Sequence, residues 1–312
     1  MKITSNSLIC SLIFFLIGSE LMSCNMTDLE NDNIEEGEVQ SLKGFTSSSN
    51  ILFQESFEDS NAFSFAQKEL AEDYSFAVAT YPVFEGENSG RFELNDYDPM
   101  VANGTRAEIM FPALAQKDNW YSCSVYIPSK DYRGDSNYDI ISQWDQGNGT
   151  GYSTIMLKIK NDRFFMKSGL TIEESKEYDI AKVQKDAWNE FVFHIIHSSD
   201  NDGLIELWLN GEKVLNIEGG NMDKKYELPK WKIGIYKKAW NGNKTTNTDR
   251  RVLFFDNVRL GNQNASFEEM TLQKGHAGSL DPNPEEKGGD GNAKSPTFPD
   301  PFRSETELEQ II

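Results

Sequence analysis

Hydrophobic and polar residues alternate along several segments in the middle of the chain. Residues 121–127 alternate in this way, and so do residues 89–94 and 203–209. A period of two predicts strands with one buried face. Shorter apolar or β-branched runs at 189–197 and 252–258, bounded by Asn, Asp and Gly, predict strands between two packed sheets.

The dipeptide Asn210-Gly211 lies between the apolar runs 205–209 and 213–215 and predicts a tight β-hairpin, because both turn positions tolerate positive φ. We find no helix-period segment of comparable length and no internal repeat. The order of segments therefore predicts an all-β, antiparallel β-sandwich of the jelly-roll, concanavalin A-like kind, with about a dozen strands.

The two ends of the chain have a different character. An apolar run at residues 8–17 is too short to span a bilayer, which takes about 20 residues, but suits a signal peptide over residues 1–23. We expect residues 24–50 to form an acidic tether, residues 51–267 to form the folded domain, and residues 268–312, rich in Gly, Pro, Glu and Asp, to be a disordered tail.

The signal segment ends in Leu21-Met22-Ser23-Cys24. It resembles a bacterial lipoprotein signal, in which a small residue precedes a cysteine that is cleaved and lipidated. We expect lipidation at Cys24 and a place in the outer membrane, exposed at the cell surface, with the lipid as the sole membrane contact. An ordinary secretory signal with an incidental cysteine is the alternative.

Composition excludes several classes of protein. Of 312 residues, 12% are aromatic, which is enough for a packed core, and the net charge of −20 argues against nucleic acid as a partner. Cys123 is the single cysteine in the body of the chain, so neither an internal disulfide framework nor a cysteine-based zinc site can form there. Residues 224–251 nevertheless contain nine basic and two acidic residues, which favours an anionic ligand or, alternatively, a loop of solvated lysines.

Three segments place polar side chains at even spacing, so that they share one face of a strand. They hold Arg106 and Glu108, then Gln143 and Asp145, then Lys232, Gly234 and Tyr236. Taken separately, they also fit a solvent-facing ion pair, the end of a strand, and a glycine-weakened edge strand. Lys232 and Tyr236 would lie about 13 Å apart along a strand, which is long enough for a polymer.

In their order and spacing, seven motifs resemble the jelly-roll polysaccharide lyases that include heparin lyase I and glucuronan lyase. The motifs are 57–59, Arg106 with Glu108, Gln143, 188–194, 203–211, 232–237 and 255–259. Alginate lyases of the same fold carry similar elements, so the resemblance identifies the chemistry better than the substrate.

The resemblance implies β-elimination from an acidic polysaccharide. Gln143 and Arg106 would neutralise the uronate carboxylate while the C5 proton leaves, and Tyr236 matches the family's proton-transferring tyrosine. Lys232 would assist the tyrosine or bind a neighbouring acidic sugar. We expect Glu108, Lys158 and Lys237 to contact the substrate as well.

One position departs from the family, which has His two residues after the Gln where this chain has Asp145. Either Asp145 replaces the base, or Tyr236 performs both proton transfers, or activity is lost. A single tyrosine suffices where H5 and O4 lie on the same side of the ring, which favours a glucuronate- or mannuronate-type substrate. The alternative function is a non-catalytic carbohydrate-binding surface lipoprotein, which would have no need of Tyr236.

The resemblance also implies one structural calcium ion, because jelly rolls of this kind often join their first and last strands through a cation. Glu58 and Asp256 offer the hard oxygen ligands that calcium prefers. Two ordinary surface carboxylates are the alternative. We expect no other cofactor.

Overall fold

The computed structural model describes residues 50–59, 61–147 and 153–272, and almost all regular structure in them is β. The fifteen strands are β1 (Ile51–Glu55), β2 (Gln67–Leu70), β3 (Phe76–Ala79), β4 (Ser89–Asn95), β5 (Arg106–Met110), β6 (Asp118–Tyr126), β7 (Asp139–Asp145), β8 (Ser153–Lys160), β9 (Arg163–Ser168), β10 (Lys176–Lys182), β11 (Trp188–Ile196), β12 (Leu204–Leu209), β13 (Glu212–Glu218), β14 (Lys230–Tyr236) and β15 (Arg250–Gly261). Two short 3₁₀ helices span Asp73–Ser75 and Lys238–Trp240, and the single α-helix among the described residues, α1, spans Phe267–Met270.

The strands form two antiparallel sheets. One has eight strands in the order β13-β12-β11-β6-β15-β4-β3, with β1 also paired to β15, and the other has seven in the order β10-β9-β8-β7-β14-β5-β2. The predicted antiparallel jelly-roll sandwich is confirmed. Every strand predicted from the alternation is present, and the structure has a few more strands than the dozen expected.

Large side chains from both sheets meet between them. Trp144 and Trp231 of the seven-stranded sheet pack edge-on against Tyr121 of the other sheet, with ring centroids 5.3 and 5.2 Å apart. Phe193 contacts Trp144 in the same manner at 5.0 Å. These rings come from alternate positions of their strands, so the period of two in the sequence places them in the core.

The hairpin predicted at Asn210-Gly211 joins β12 to β13, and both residues have positive φ, 51° and 87°. This is the conformation that a two-residue hairpin turn requires, and Asn and Gly adopt it at little cost.

Part of the outer face of the eight-stranded sheet, at β6 and β11, is covered, which the alternation did not predict. Ser122 and Ser124 are fully buried although they point away from the core. The segment after β15 packs over this face: Met270 is buried, and Glu190 accepts hydrogen bonds from Thr271 Oγ1 at 2.6 Å and from the Leu272 amide at 2.7 Å. The folded domain therefore continues to Leu272, and the expectation of a disordered tail from residue 268 is wrong for its first five residues.

The expected signal peptide, the lipidated Cys24, nearly all of the acidic tether and the rest of the tail lie outside the described residues and stay predictions. In the part of the chain that the structure describes, no helix is long and apolar enough to cross a membrane.

Candidate active site

A groove of about 700 Å³ lies on the outer face of the seven-stranded sheet. Every strand of this sheet contributes to its lining: Gln67 and Glu69 (β2), Arg106 and Met110 (β5), Lys230, Lys232 and Tyr236 (β14), Ile140, Gln143 and Asp145 (β7), Ser153, Met156 and Lys158 (β8), Lys167 (β9) and Glu177 (β10). The groove therefore crosses the strands, whereas the sequence suggested a polymer lying along β14.

Strand register brings the three predicted segments together at the centre of the groove. On β14, Lys232 pairs with Gln143 of β7, and Tyr236 pairs with Arg106 of β5. The ladder between β14 and β7 is irregular between Ile233 and Tyr236. Four of the predicted catalytic and binding residues thus lie on three adjacent strands.

Gly234 lies between Lys232 and Tyr236 with φ +135°, a conformation that other residues rarely adopt. A Cβ atom at this position would lie 2.1 Å from the carbonyl oxygen of Ala107 on β5. The glycine is therefore required by the close approach of two backbones.

The guanidinium group of Arg106 lies over the ring of Tyr236, 4.1 Å from its centroid. Arg106 Nη1 donates to Glu108 Oε2 at 2.9 Å and to Glu69 Oε2 at 3.1 Å. Although burial alone would lower the pKa of Arg106, these two carboxylates raise it. A permanent positive charge is thereby held against the tyrosine ring.

Glu108 does not reach the groove, which corrects the expectation that it contacts substrate. Its side chain is fully buried, and burial raises its pKa against the opposing effects of Arg106 and Lys232. Glu108 Oε1 accepts a hydrogen bond of 2.6 Å from Gln143 Nε2, while Ser153 Oγ donates to Gln143 Oε1 at 2.7 Å. Together these bonds fix the orientation of the Gln143 amide and leave its second N–H for the groove.

Glu69 is a central residue of the site that the sequence did not reveal. It lies on the short edge strand β2 and is 3% exposed. Besides Arg106, it binds Lys232 Nζ, at 3.1 Å through Oε1 and 3.0 Å through Oε2. Glu69 thus holds both cations of the site in place.

Asp145, at the position of the family's histidine, forms an ion pair with Lys232, with Nζ 3.0 Å from Oδ2. Its other oxygen accepts a hydrogen bond from the Gly147 amide at 3.0 Å. Burial alone would lower the pKa of Lys232, but Glu108, Asp145 and Glu69 raise it, so the ammonium form persists. Both oxygens of Asp145 are already engaged.

The sequence profile of the polysaccharide lyase family matches residues 52–259. The chain belongs to the polysaccharide lyase family. The resemblance seen in the motifs is confirmed, and the protein is a polysaccharide lyase.

Among solved structures, the lyase resembles the endo-β-1,4-glucuronan lyase of the fungus Trichoderma reesei, with a TM-score of 0.59 and 18% identity over 70% of this chain and 98% of that one. An alginate lyase of Pseudomonas aeruginosa matches with a TM-score of 0.43 and 17% identity, over 62% of this chain and 88% of its own. An alginate lyase of Chlorella virus matches with a TM-score of 0.47 and 13% identity, over 68% and 100%. A search of curated protein sequences finds no match. At such identities, the likeness to the glucuronan lyase shows a shared fold.

Lys237 of the lyase cannot contact substrate, contrary to expectation. Its side chain is fully buried, and its ammonium group pairs with Asp139 at 2.6 Å and Asp135 at 3.1 Å. Arg251 is buried in the same cluster, where its Nε lies 2.7 Å from Asp139. The basic segment 224–251 therefore does not form one continuous surface.

The positive charge of the groove comes instead from several strands. Lys158, which we expect to contact the substrate, lines the groove; it is paired with Glu177, and its ammonium group lies 4.6 Å from the ring centroid of Tyr138. Lys230 and Lys238 of the basic segment 224–251 also line the groove, and so do Tyr138 and Lys167, which the sequence did not single out. Their sharing of one groove depends on strand register, which the sequence does not show.

Two histidines of the lyase lie away from the groove. His194, on β11, stacks on Trp120 at 4.3 Å and makes hydrogen bonds with Glu206 and Asp118. His197 is buried beside Tyr121, and burial lowers its pKa to about 3. Neither replaces the histidine that the family places after the glutamine.

Glu58 and Asp256 both face the segment 84–88. The amides of residues 87 and 88 donate to Glu58 Oε1 at 3.0 and 3.1 Å, and those of residues 84 and 85 donate to Asp256 Oδ2 at 2.9 and 3.2 Å. Next to Asp256, the buried Asn257 Oδ1 has no hydrogen-bond partner. Among the described residues, no group of three or more His, Cys, Asp or Glu side chains is arranged around a metal position.

Proposed function

We propose that the lyase cleaves a uronate-containing polysaccharide by β-elimination at the centre of this groove. The observation that carries the proposal is the convergence of Arg106, Gln143, Lys232 and Tyr236 on adjacent strands of one groove wall. An amide donor, two cations and a phenol are the groups that elimination from a uronate requires.

In the proposed reaction the phenolate of Tyr236 takes the C5 proton, and the electron pair of the C5–H bond forms the C4–C5 double bond. The C4–O4 bond breaks, and its electron pair remains on O4 of the departing sugar. The proton then passes from Tyr236 to O4. The tyrosine returns to its starting state, and the new chain end is an unsaturated uronate.

Negative charge builds up on the uronate carboxylate as the proton leaves. The free N–H of Gln143 and the guanidinium group of Arg106 face the groove and would stabilise this charge. Since Glu108 holds both donors, they are oriented before the substrate arrives.

The pairing of Asp145 with Lys232 favours Tyr236 as carrier of both protons. Oδ2 of Asp145 is held by Lys232 and Oδ1 by the Gly147 amide, so both of its oxygens are engaged before a substrate binds. One tyrosine can serve both steps where H5 and O4 lie on the same face of the ring. The proposal therefore favours glucuronate or mannuronate, and the structural likeness to a glucuronan lyase supports the first.

The test is to incubate the purified lyase with polyglucuronate, polymannuronate, polyguluronate and heparin, and to follow the ultraviolet absorbance of the unsaturated product. We expect product from one of the first two polymers. The Tyr236→Phe variant should give none, while the matched exposed variant Tyr97→Phe should behave like the wild type. Undiminished turnover by Tyr236→Phe would remove the tyrosine from the chemistry, and no product from any polymer would contradict the proposal.

We also propose one structural calcium ion held by Glu58 and Asp256. The buried side-chain amide of Asn257, the residue after Asp256, has no hydrogen-bond partner, and its Oδ1 is a candidate third ligand. The ion would stabilise the contact of segment 84–88 with the loop after β1 and with β15, and it would take no part in the reaction.

For localisation, we propose that the chain is a lipoprotein of the bacterial outer membrane, anchored through Cys24 at the cell surface. Residues 21–24 and the acidic segment after them support the proposal. Cells expressing the Cys24→Ala variant should release the lyase into the soluble fraction, whereas a Cys10→Ala variant should remain with the membranes. A Cys24→Ala protein that still fractionates with membranes would contradict it.

A further inference from the structure

We infer that Lys158, Lys167 and Lys238, together with Tyr138, form a second anion-binding subsite in the groove. It would take the carboxylate of a uronate next to the sugar that is cleaved. The inference rests on the proposed function and extends it, since it predicts which side of the cleaved bond must carry charge.

Strand register places these residues together on one side of Tyr236. Lys158 of β8 pairs with Ile140 of β7, which in turn pairs with Tyr236, so Lys158 lies two strands from the tyrosine. At about 4.8 Å per strand this is roughly 10 Å, farther than the reacting sugar itself would reach. Lys167 of β9 pairs with Met156, two residues before Lys158 on the same face, and is therefore its diagonal neighbour.

Tyr138 and Lys238 complete the subsite. Both line the groove: Tyr138 immediately precedes β7, and Lys238 begins the 3₁₀ helix that follows β14. The half-buried ring of Tyr138 carries the Lys158 ammonium group 4.6 Å from its centroid. An aromatic ring beside cations suits an acidic sugar, which has an apolar face and a charged group.

The charges of this subsite differ from those at the reaction centre. Arg106 is balanced by Glu69 and Glu108, and Lys232 by Glu69 and Asp145. Within the described ranges, by contrast, neither Lys167 nor Lys238 forms an ion pair.

The subsite brings three lysine side chains close together, and their like charges repel one another. Lys158 is not a solvated surface lysine, since its side chain is 6% exposed and its partner Glu177 is 39% exposed. Burial lowers the pKa of Lys167, and the nearby Lys158 and Lys238 lower it further, while Glu177 and Glu173 oppose this only in part. A bound carboxylate would relieve this repulsion.

The opposite end of the groove lacks such charge. Beyond Tyr236 on that side, the charge of Arg106 is balanced by Glu69, and the other lining residues, Gln67, Ala102, Asn103 and Met110, are uncharged. A polymer in the groove would therefore meet excess positive charge on one side of the cleaved bond only. Recognition of acidic sugars should be correspondingly asymmetric.

The test separates binding from turnover by using Tyr236→Phe as the background. Calorimetry would measure the Kd of a glucuronate and a mannuronate tetrasaccharide, with the tetrasaccharide of cellulose as the uncharged analogue. Lys167→Met and Lys238→Met are introduced together. The control pair is Lys224→Met and Lys225→Met, which removes two exposed lysines outside the groove lining.

We expect the groove pair to raise the Kd of the uronate ligand about tenfold, to make that Kd less dependent on salt, and to leave the cellulose ligand unaffected. The control pair should change none of these. In the enzyme that retains Tyr236, the combined Lys167→Met and Lys238→Met substitutions should raise KM and leave kcat nearly unchanged.

Two results would overturn the inference, and they are distinguishable. If uronate binds the background protein and the groove pair leaves its Kd unchanged, the subsite does not exist, while the proposed function stands. If no uronate tetrasaccharide binds the background protein at all, the proposed function fails and the subsite fails with it.

Discussion

The ammonium nitrogen of Lys232 lies 3.0 Å from Oδ2 of Asp145. This pair occupies the place where the family has a histidine two residues after the glutamine. A neutral imidazole can accept a proton from carbon near neutral pH, whereas the carboxylate of Asp145 is held by the Lys232 ammonium group and the Gly147 amide. The pair thus suggests that Asp145 has a structural task in place of the catalytic one.

The first prediction compares two substitutions. Tyr236→Phe should lower kcat by about 10²–10⁴-fold, the usual effect of removing a group that transfers protons. Asp145→Asn should lower kcat by less than about tenfold, because Lys232 keeps its bond to Glu69. Turnover of a matched uronate polymer measures both. Equal losses in the two variants would show that Asp145 is the base.

The second prediction concerns Glu69, which we expect to position Arg106 and Lys232. Glu69→Gln leaves two buried cations with less compensation and should lower the free energy of unfolding by about 3–5 kcal/mol, measured by urea denaturation. It should also lower kcat, because Arg106, which lies over the ring of Tyr236, loses its ion pair with Glu69. Glu212→Gln, an exposed change on β13, is the control. A Glu69→Gln protein with wild-type kcat would limit Glu69 to a role in folding.

Much of the fold and the centre of the site can be predicted from the sequence. Alternation identifies strands such as β6 and β12 because each has a face in the core. The pairs at Arg106, Gln143 and Lys232 are recognisable because they interrupt that alternation with polar side chains at even spacing.

The remaining site residues depend on contacts between distant segments. Glu69 lies on a four-residue edge strand, which is too short to show a period. Lys237 looks like any lysine at the end of a strand, and its burial becomes evident once Asp135 and Asp139, about a hundred residues earlier, are seen around it. Lys167 enters the groove through the register of β9 on β8, which no local pattern encodes.

The third prediction concerns stability against pH. Burial lowers the pKa of His197 to about 3, while an unfolded chain would have a value near 6.5. Since the unfolded state takes up a proton that the folded state does not, this contribution is fully present above about pH 6.5. It is lost as the pH falls towards 3, by at most about 1.4 kcal/mol per pH unit.

The His197→Gln variant isolates this effect, because the carboxylates that titrate in the same range are common to both proteins. Between pH 6.5 and 4, the unfolding free energy of the wild type should fall more steeply than that of the variant. Parallel curves would mean that His197 takes up a proton in the folded state as readily as in the unfolded state.

The fourth prediction tests the proposed calcium ion. Adding millimolar calcium to metal-free protein should raise Tm, because a ligand that binds the folded state alone stabilises it. Asp256→Asn should abolish the increase, whereas the exposed variant Asp249→Asn should retain it. No change of Tm in the wild type would contradict the site at Glu58 and Asp256.

The close approach of Gly234 to the carbonyl of Ala107 shows that the residues of the motif 232–236 have two different tasks. Gly234 is needed for packing against the neighbouring strand β5, whereas Lys232 and Tyr236 line the groove. A related domain without catalytic activity would still need the glycine to form the same pairing of β14 with β5. Its presence in a relative would therefore indicate that the close contact of the two strands is kept, whereas the residue two positions later would indicate whether the tyrosine is kept.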